Sequence, residues 1–189
     1  RDVDGASLYY HFWSGLLQPR FEEREYNNDF AAWARHELRD FALAERLALV
    51  DPTQYGNIET LRQELIEVIE ERLDETDTLS WMRAIQPFTF VRSQIVVFDT
   101  HHRLASPREM GEALASFSAG SIFYHFIDAR RRSAEHLDDF RTWLTGFGED
   151  SAGLRTELAA IDPFFQPLSE LRAQLASVFS RCCCAEGTP

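Results

Sequence analysis

No apolar run in the sequence approaches the roughly 18–20 residues of a membrane-spanning helix. The first residues show no charged-apolar-small pattern of a secretory leader either. A cytoplasmic protein with no membrane partner is therefore expected. Basic residues are scarce: 19 Lys and Arg stand against 31 Asp and Glu, for a net charge of −12. That balance argues against a nucleic-acid surface, whose affinity rests on Lys and Arg neutralising phosphates. The sequence also lacks a phosphate-cradling Gly-rich loop, His-Glu-x-x-His, Gly-x-Ser-x-Gly and Cys-x-x-Cys. Cysteine occurs only as the consecutive Cys182-Cys183-Cys184, which excludes an internal disulfide framework. Adjacent thiols are also poorly spaced for a tetrahedral metal site by themselves. Reduced thiols at a fraying helix end are expected there, with intermolecular metal or disulfide capture as the alternative.

What the chain does have is a phrase said twice. Ser7-Leu8-Tyr9-Tyr10-His11-Phe12 returns as Ser121-Ile122-Phe123-Tyr124-His125-Phe126. Asp29-Phe30-x-x-Trp33 returns as Asp139-Phe140-x-x-Trp143, Val50-Asp51-Pro52 as Ile161-Asp162-Pro163, and Leu61-Arg62-x-x-Leu65 as Leu171-Arg172-x-x-Leu175. Each return comes about 110 residues later and in the same order, the mark of an internal duplication.

The periodicities are helical. Ser7 and Ser121 are expected to cap aromatic helices, and Asp29 and Asp139 to cap the helices that follow, with Phe30/Trp33 and Phe140/Trp143 as core pairs. A short helix then ends at each Asp-Pro, because the residue before proline is pushed out of the α region. Asn57 caps the clearest helix, whose apolar stripe is Ile58, Leu61, Leu65, Val68, Ile69 and Leu73, with glutamates on its solvent side. Its second copy runs from Leu168 through Leu171, Leu175, Val178 and Phe179. Ser106-Pro107-Arg108-Glu109 is a capping box with proline at the first helical position.

These signals predict an all-α or nearly all-α protein of two tandem pseudo-repeats. The first covers residues 1–75 and the second 81–181, with a polar linker at 74–80 and a tail at 182–189. Phe88–Phe98 is ambiguous. Its β-branched and aromatic content suits a strand, yet a lone strand leaves backbone groups without partners. Helix is the expectation, with an intermolecular strand pair as the alternative. This apolar preamble precedes only the second histidine phrase, so either the duplication is unequal or the first repeat lacks roughly its first 30 residues.

Two histidines retained in the duplicated phrase, His11 and His125, are the candidate site residues, with Tyr10, Tyr124 and Arg130 beside them. A packed histidine satisfied by a carbonyl or carboxylate is the plainer expectation. Ligand or metal binding by the His11/His125 pair is the sharper one. Arg130-Arg131-Arg132 suits a helix C-terminus, with anion binding as the alternative.

Taken together, the phrases Ser-x-x-Tyr-His-Phe, Asp-Phe-x-x-Trp, Asp-Pro and Leu-Arg resemble an uncharacterised prokaryotic domain-of-unknown-function family over Ser7 to Phe179. The resemblance implies tandem helical repeats of about this length, with the apolar preamble before each histidine phrase, and it implies no activity, catalytic residue or cofactor. The expected function is a non-enzymatic interaction or regulatory module, self-associating or binding a partner protein through an apolar surface. The alternative is a small-ligand or metal-binding protein using His11 and His125. Third comes an enzyme acting on a small polar substrate.

Overall fold

A computed structural model describes residues 2–17, 25–75, 83–164 and 166–185. The described chain is helical and contains no β-strand. It divides into two compact units, Arg1–Ile95 and Val96–Pro189.

The first unit is built from α1 (Gly5–Leu17), α2 (Asp29–His36), α3 (Phe41–Ala48) and α4 (Ile58–Asp74), with a 3₁₀ turn at Pro52–Gln54. Helix α1 packs on α2 and α4, and α3 on α2 and α4. It opens at Asp4, whose side chain accepts from the Ala6 N–H and whose carbonyl accepts from Ser7 and Leu8. Ser7 is therefore inside the helix rather than its cap, and its hydroxyl is released for a distant partner. Gly5 sits where a Cβ would lie 2.9 Å from Ile58 Cγ1, so α1 approaches α4 closely only without a side chain there. Leu8, Phe12 and Trp13 fill the core beneath.

The cap of α2 lies one residue earlier than the sequence pattern suggested. Asn28 caps α2 by accepting from the Ala31 N–H, which frees Asp29 from that duty. Asn28 is fully buried and also donates to the Leu47 carbonyl, tying α2 to α3. Asp40 caps α3 and pairs at 3.0 Å with Arg72 near the end of α4. That ion pair explains why the apolar stripe of α4 is narrower than its periodicity implies. Leu61 and Leu65 are buried, whereas Ile69 and Leu73 are exposed, because Arg72 makes the inward contact in the last turns. Asn57 caps α4 as expected.

Tyr55, just before that cap, offers a check. Burial, then the charge and hydrogen bond of Glu64, push its phenol up to about 12. The folded chain therefore holds this proton after the unfolded chain has released its own near ~10. The group's contribution to stability is full below the unfolded value and drains away as pH rises through about 12. Ultraviolet titration should show a late phenolate step that vanishes in Tyr55→Phe.

The second unit contains α5 (Pro107–Leu114), then a continuous helical run made of α6 (Ala119–Ile122), a π-helical segment Phe123–Asp128 and α7 (Ala129–Arg132). It continues with α8 (Asp139–Leu144), a 3₁₀ stretch Thr145–Ser151, α9 (Ala152–Ala159) and α10 (Leu168–Ala185). Ser106 caps α5 with Pro107 at its first position, as the sequence pattern implied. The cap of α6 is Ser118, three residues before Ser121, and the cap of α8 is Asp138, one before Asp139. Helix α10 buries Leu168, Leu171, Leu175, Val178 and Phe179, the stripe read from the sequence. It packs on α5, α6 and α9, closest at Gly111, where a Cβ would stand 3.2 Å from that of Phe179. The side chains of Cys182–Cys184, residues 76–80 of the expected linker, and residues 81 and 82 after it lie outside the described residues.

The stretch at 88–98 is neither helix nor strand. Residues 85–91 are held by side chains and backbone of α1 and α2, so they belong with the first unit, whose boundary falls at Ile95 rather than at 81. The first part of the apolar preamble thus covers helices of the first unit. Among the described residues no helix is long and apolar enough to cross a membrane.

Candidate functional site

In the first unit the duplicated phrase builds a face that grips main chain. His11 is on α1 with only 4% of its side chain exposed, and its Nδ1 lies 2.9 Å from Asp29 Oδ2. The Ser14 hydroxyl donates to the same carboxylate oxygen. The other ring nitrogen, Nε2, accepts the backbone N–H of Val91 at 2.9 Å. An acceptor at Nε2 fixes the ring proton on Nδ1, where it is donated to Asp29. One turn earlier on α1, the Ser7 hydroxyl donates to the carbonyl of the same Val91 at 2.8 Å. Trp33 on α2 donates from Nε1 to the Gln86 carbonyl at 2.9 Å. Glu37 accepts the Ile85 N–H on its carbonyl and the Gln86 N–H on its carboxylate.

Aromatic rings close the contact. Phe88 stacks on Phe30 at 5.0 Å and meets His11 at 4.8 Å and Trp33 at 5.8 Å, edge-on in both cases. Phe90 lies 5.8 Å from His11 and 4.8 Å from Phe88. Tyr10 touches the edge of His11 at 5.3 Å. Every backbone bond made to residues 86 and 91 by Ser7, His11 and Trp33 is blind to side-chain identity. The two phenylalanines supply the side-chain contacts of the segment.

The second unit repeats the core of this arrangement on α6–α8. His125 Nδ1 lies 2.8 Å from Asp139 Oδ2 and Tyr124 packs against the ring edge. Here the supporting partner is Arg132, which bonds Asp139, Asp128 and the Tyr124 carbonyl and lies 4.0 Å over the Tyr124 ring. Burial pulls the Asp139 carboxyl up, but the His125 hydrogen bond and the Arg132 charge outweigh it and hold it below the ordinary value. Arg131 is paired with Asp128, and Arg130 lies over the Phe126 ring at 4.7 Å. The triple arginine is thus engaged by groups of the second unit itself, Asp128, Asp139, the Tyr124 carbonyl and the Phe126 and Tyr124 rings.

The two copies differ in what faces Nε2. The His125 side chain is 42% exposed, and its Nε2 has no hydrogen-bond partner among the described residues. Nor has Trp143 Nε1, whose ring meets Phe147 edge-on at 4.7 Å. The Ser121 hydroxyl lies 2.9 Å from that of Ser118 instead of a main-chain carbonyl.

The imidazole–carboxylate pair is the base-and-orienter half of a nucleophilic set. Among the described residues no hydroxyl or thiol completes it at Nε2. His11 has no lone pair to offer a metal, since Nδ1 faces Asp29 and Nε2 accepts from Val91. The described residues contain no group of three or more His, Cys, Asp or Glu arranged to hold a metal ion.

The sequence picks out both histidines without naming the carboxylates they meet, which are Asp29 and Asp139. Ser7 and Asp29 are expected as caps and Trp33 as core, whereas Ser7 and Trp33 bond main chain and Asp29 bonds His11. One signal was available: each helix start carries a doublet, Asn28-Asp29 or Asp138-Asp139, of which only the first member is needed as a cap.

An all-helical fold with a histidine–aspartate pair in each of two units is what the residues build. The chain belongs to a family of unknown function, DUF5752, which matches residues 1–180. Among solved structures it is similar to OrfY from Thermoproteus tenax, with a TM-score of 0.74 and 25% identity over 96% of this chain and 82% of that one. No curated protein matches.

Proposed function

We propose that this protein is a non-enzymatic interaction module that holds non-helical polypeptide segments on its histidine–aspartate faces and self-associates through them. One observation carries the reading. Three side chains retained in both copies of the phrase, Ser7, His11 and Trp33, all bond main-chain atoms of a single segment, residues 86–91. Main-chain bonds give affinity without dictating sequence, and pockets for alternate side chains give selectivity, as in other modes of peptide recognition. The net charge of −12 keeps such a module soluble and sets no fold.

The test frees the first face and offers its segment in trans. A full chain carrying Phe88→Ala and Phe90→Ala is expected to bind a synthetic peptide of residues 85–92, with His11 imidazole resonances moving back toward wild-type positions. A peptide that leaves those resonances unmoved at saturating concentration, in a variant that stays folded, defeats the reading.

A further inference from the structure

Two features of the described chain lack a counterpart. One is the second unit's face: Ser121, His125 and Trp143 occupy the positions of Ser7, His11 and Trp33, yet none of them bonds a chain segment. The other is Ile95–Phe98. It lies in neither helix nor strand and makes no backbone hydrogen bond among the described residues. Its apolar side chains stand in solvent, with Val96 65%, Val97 56% and Phe98 80% exposed. Contiguous exposed apolar side chains of this kind mark an interaction site.

The spacing of the two features agrees. On the first face, apolar side chains at Phe88, Phe90 and Val91 accompany the N–H that His11 accepts. Ile95, Val97 and Phe98 repeat that spacing seven residues on. Residues 86–91 are already engaged within their own chain, so they are not free to act in trans. Ile95–Phe98 has no hydrogen-bonded partner among the described residues.

We infer that Ile95–Phe98 of one chain docks on the Ser121–His125–Trp143 face of a second copy, with the Phe98 N–H donating to His125 Nε2. This rests on the reading that these faces hold non-helical segments. Each copy offers one segment and one face, so two chains satisfy each other in a closed two-fold pair. The match is imperfect at one end. Phe147 stands at the place of Glu37, so the incoming segment has no carboxylate for its N-terminal amides and leans more on its apolar side chains. Two contacts this short fall below the ~1,200 Å² of stable interfaces, so the dimer should be concentration-dependent.

Sedimentation of the full chain over a range of concentrations tests the inference. The wild type is expected to dimerise. Phe98→Asp, at a position too exposed to unfold the chain, and His125→Ala with Trp143→Ala should each weaken dimerisation by about tenfold or more. Mixing the two variants should restore one of the two contacts and yield a heterodimer tighter than either self-association. A wild type that stays monomeric throughout overturns both this inference and the self-association reading. A dimer untouched by either variant overturns this inference alone, and leaves the trans-peptide test of the first face standing.

Discussion

The full chain carrying His11→Ala is expected to lose about 2–4 kcal/mol from the stability of its first unit, and with it the seat of residues 86–91. The substitution leaves the Val91 N–H without its acceptor, and Asp29 without one of its donors. Because His11 is nearly fully buried, water does not readily replace those bonds. It also withdraws the ring against which Phe30, Phe88 and Phe90 pack. Hydrogen exchange at the Val91 amide should accelerate toward the rate of an open chain, together with the amides of Ile85 and Gln86. The duplication supplies the control. His125→Ala removes the same side chain from a half-exposed position with one bonded nitrogen, and should cost under about 1 kcal/mol. Equal losses at the two sites would mean that the seated segment contributes nothing to the first.

The second large effect belongs to the core. Phe179→Ala should destabilise the second unit by about 3–5 kcal/mol, the range for truncating a buried aromatic residue. Phe179 is fully buried on α10, packs edge-on against Phe140, and lies under Gly111 where α5 crosses closest. The cavity has little chance to collapse, since α10 is fixed along its length by Leu168, Leu171, Leu175 and Val178. Urea unfolding followed by the amide resonances of α10, which report on this unit, checks it. A change under about 1 kcal/mol would show that α5 and α10 close the gap by sliding.

Much of the fold was legible because it is local. Asn57, Ser106 and Pro107 act within one helical turn of their own position, so sequence spacing alone places them. The stripe of α10 is legible for the same reason. The site is non-local, and there the sequence misleads in a consistent way. Ser7 and Asp29 are residue types that serve equally as helix caps or as partners for a distant group, and the choice depends on whether a neighbour caps first. Asp4 and Asn28 do so, and that frees both. Phe88–Phe98 defeats a periodicity argument outright. Its first part is held at Val91 by His11 and Ser7 of α1, 80 and 84 residues away in sequence, rather than by bonds of its own. The two compact units divide inside this stretch, after Ile95.

The histidine and aspartate that meet in each unit are 18 residues apart in the first and 14 in the second, yet the contact closes at 2.9 and 2.8 Å. The second copy makes up the difference with a π-helical turn, in which the Ala129 N–H reaches back five residues to Tyr124 and Arg132 adds a second donor to the same carbonyl. The connecting loop is therefore the adjustable part and the pair is the fixed gauge. A sequence in which this loop shrinks or grows by a turn can keep the face intact, provided the helix before it changes its winding to match.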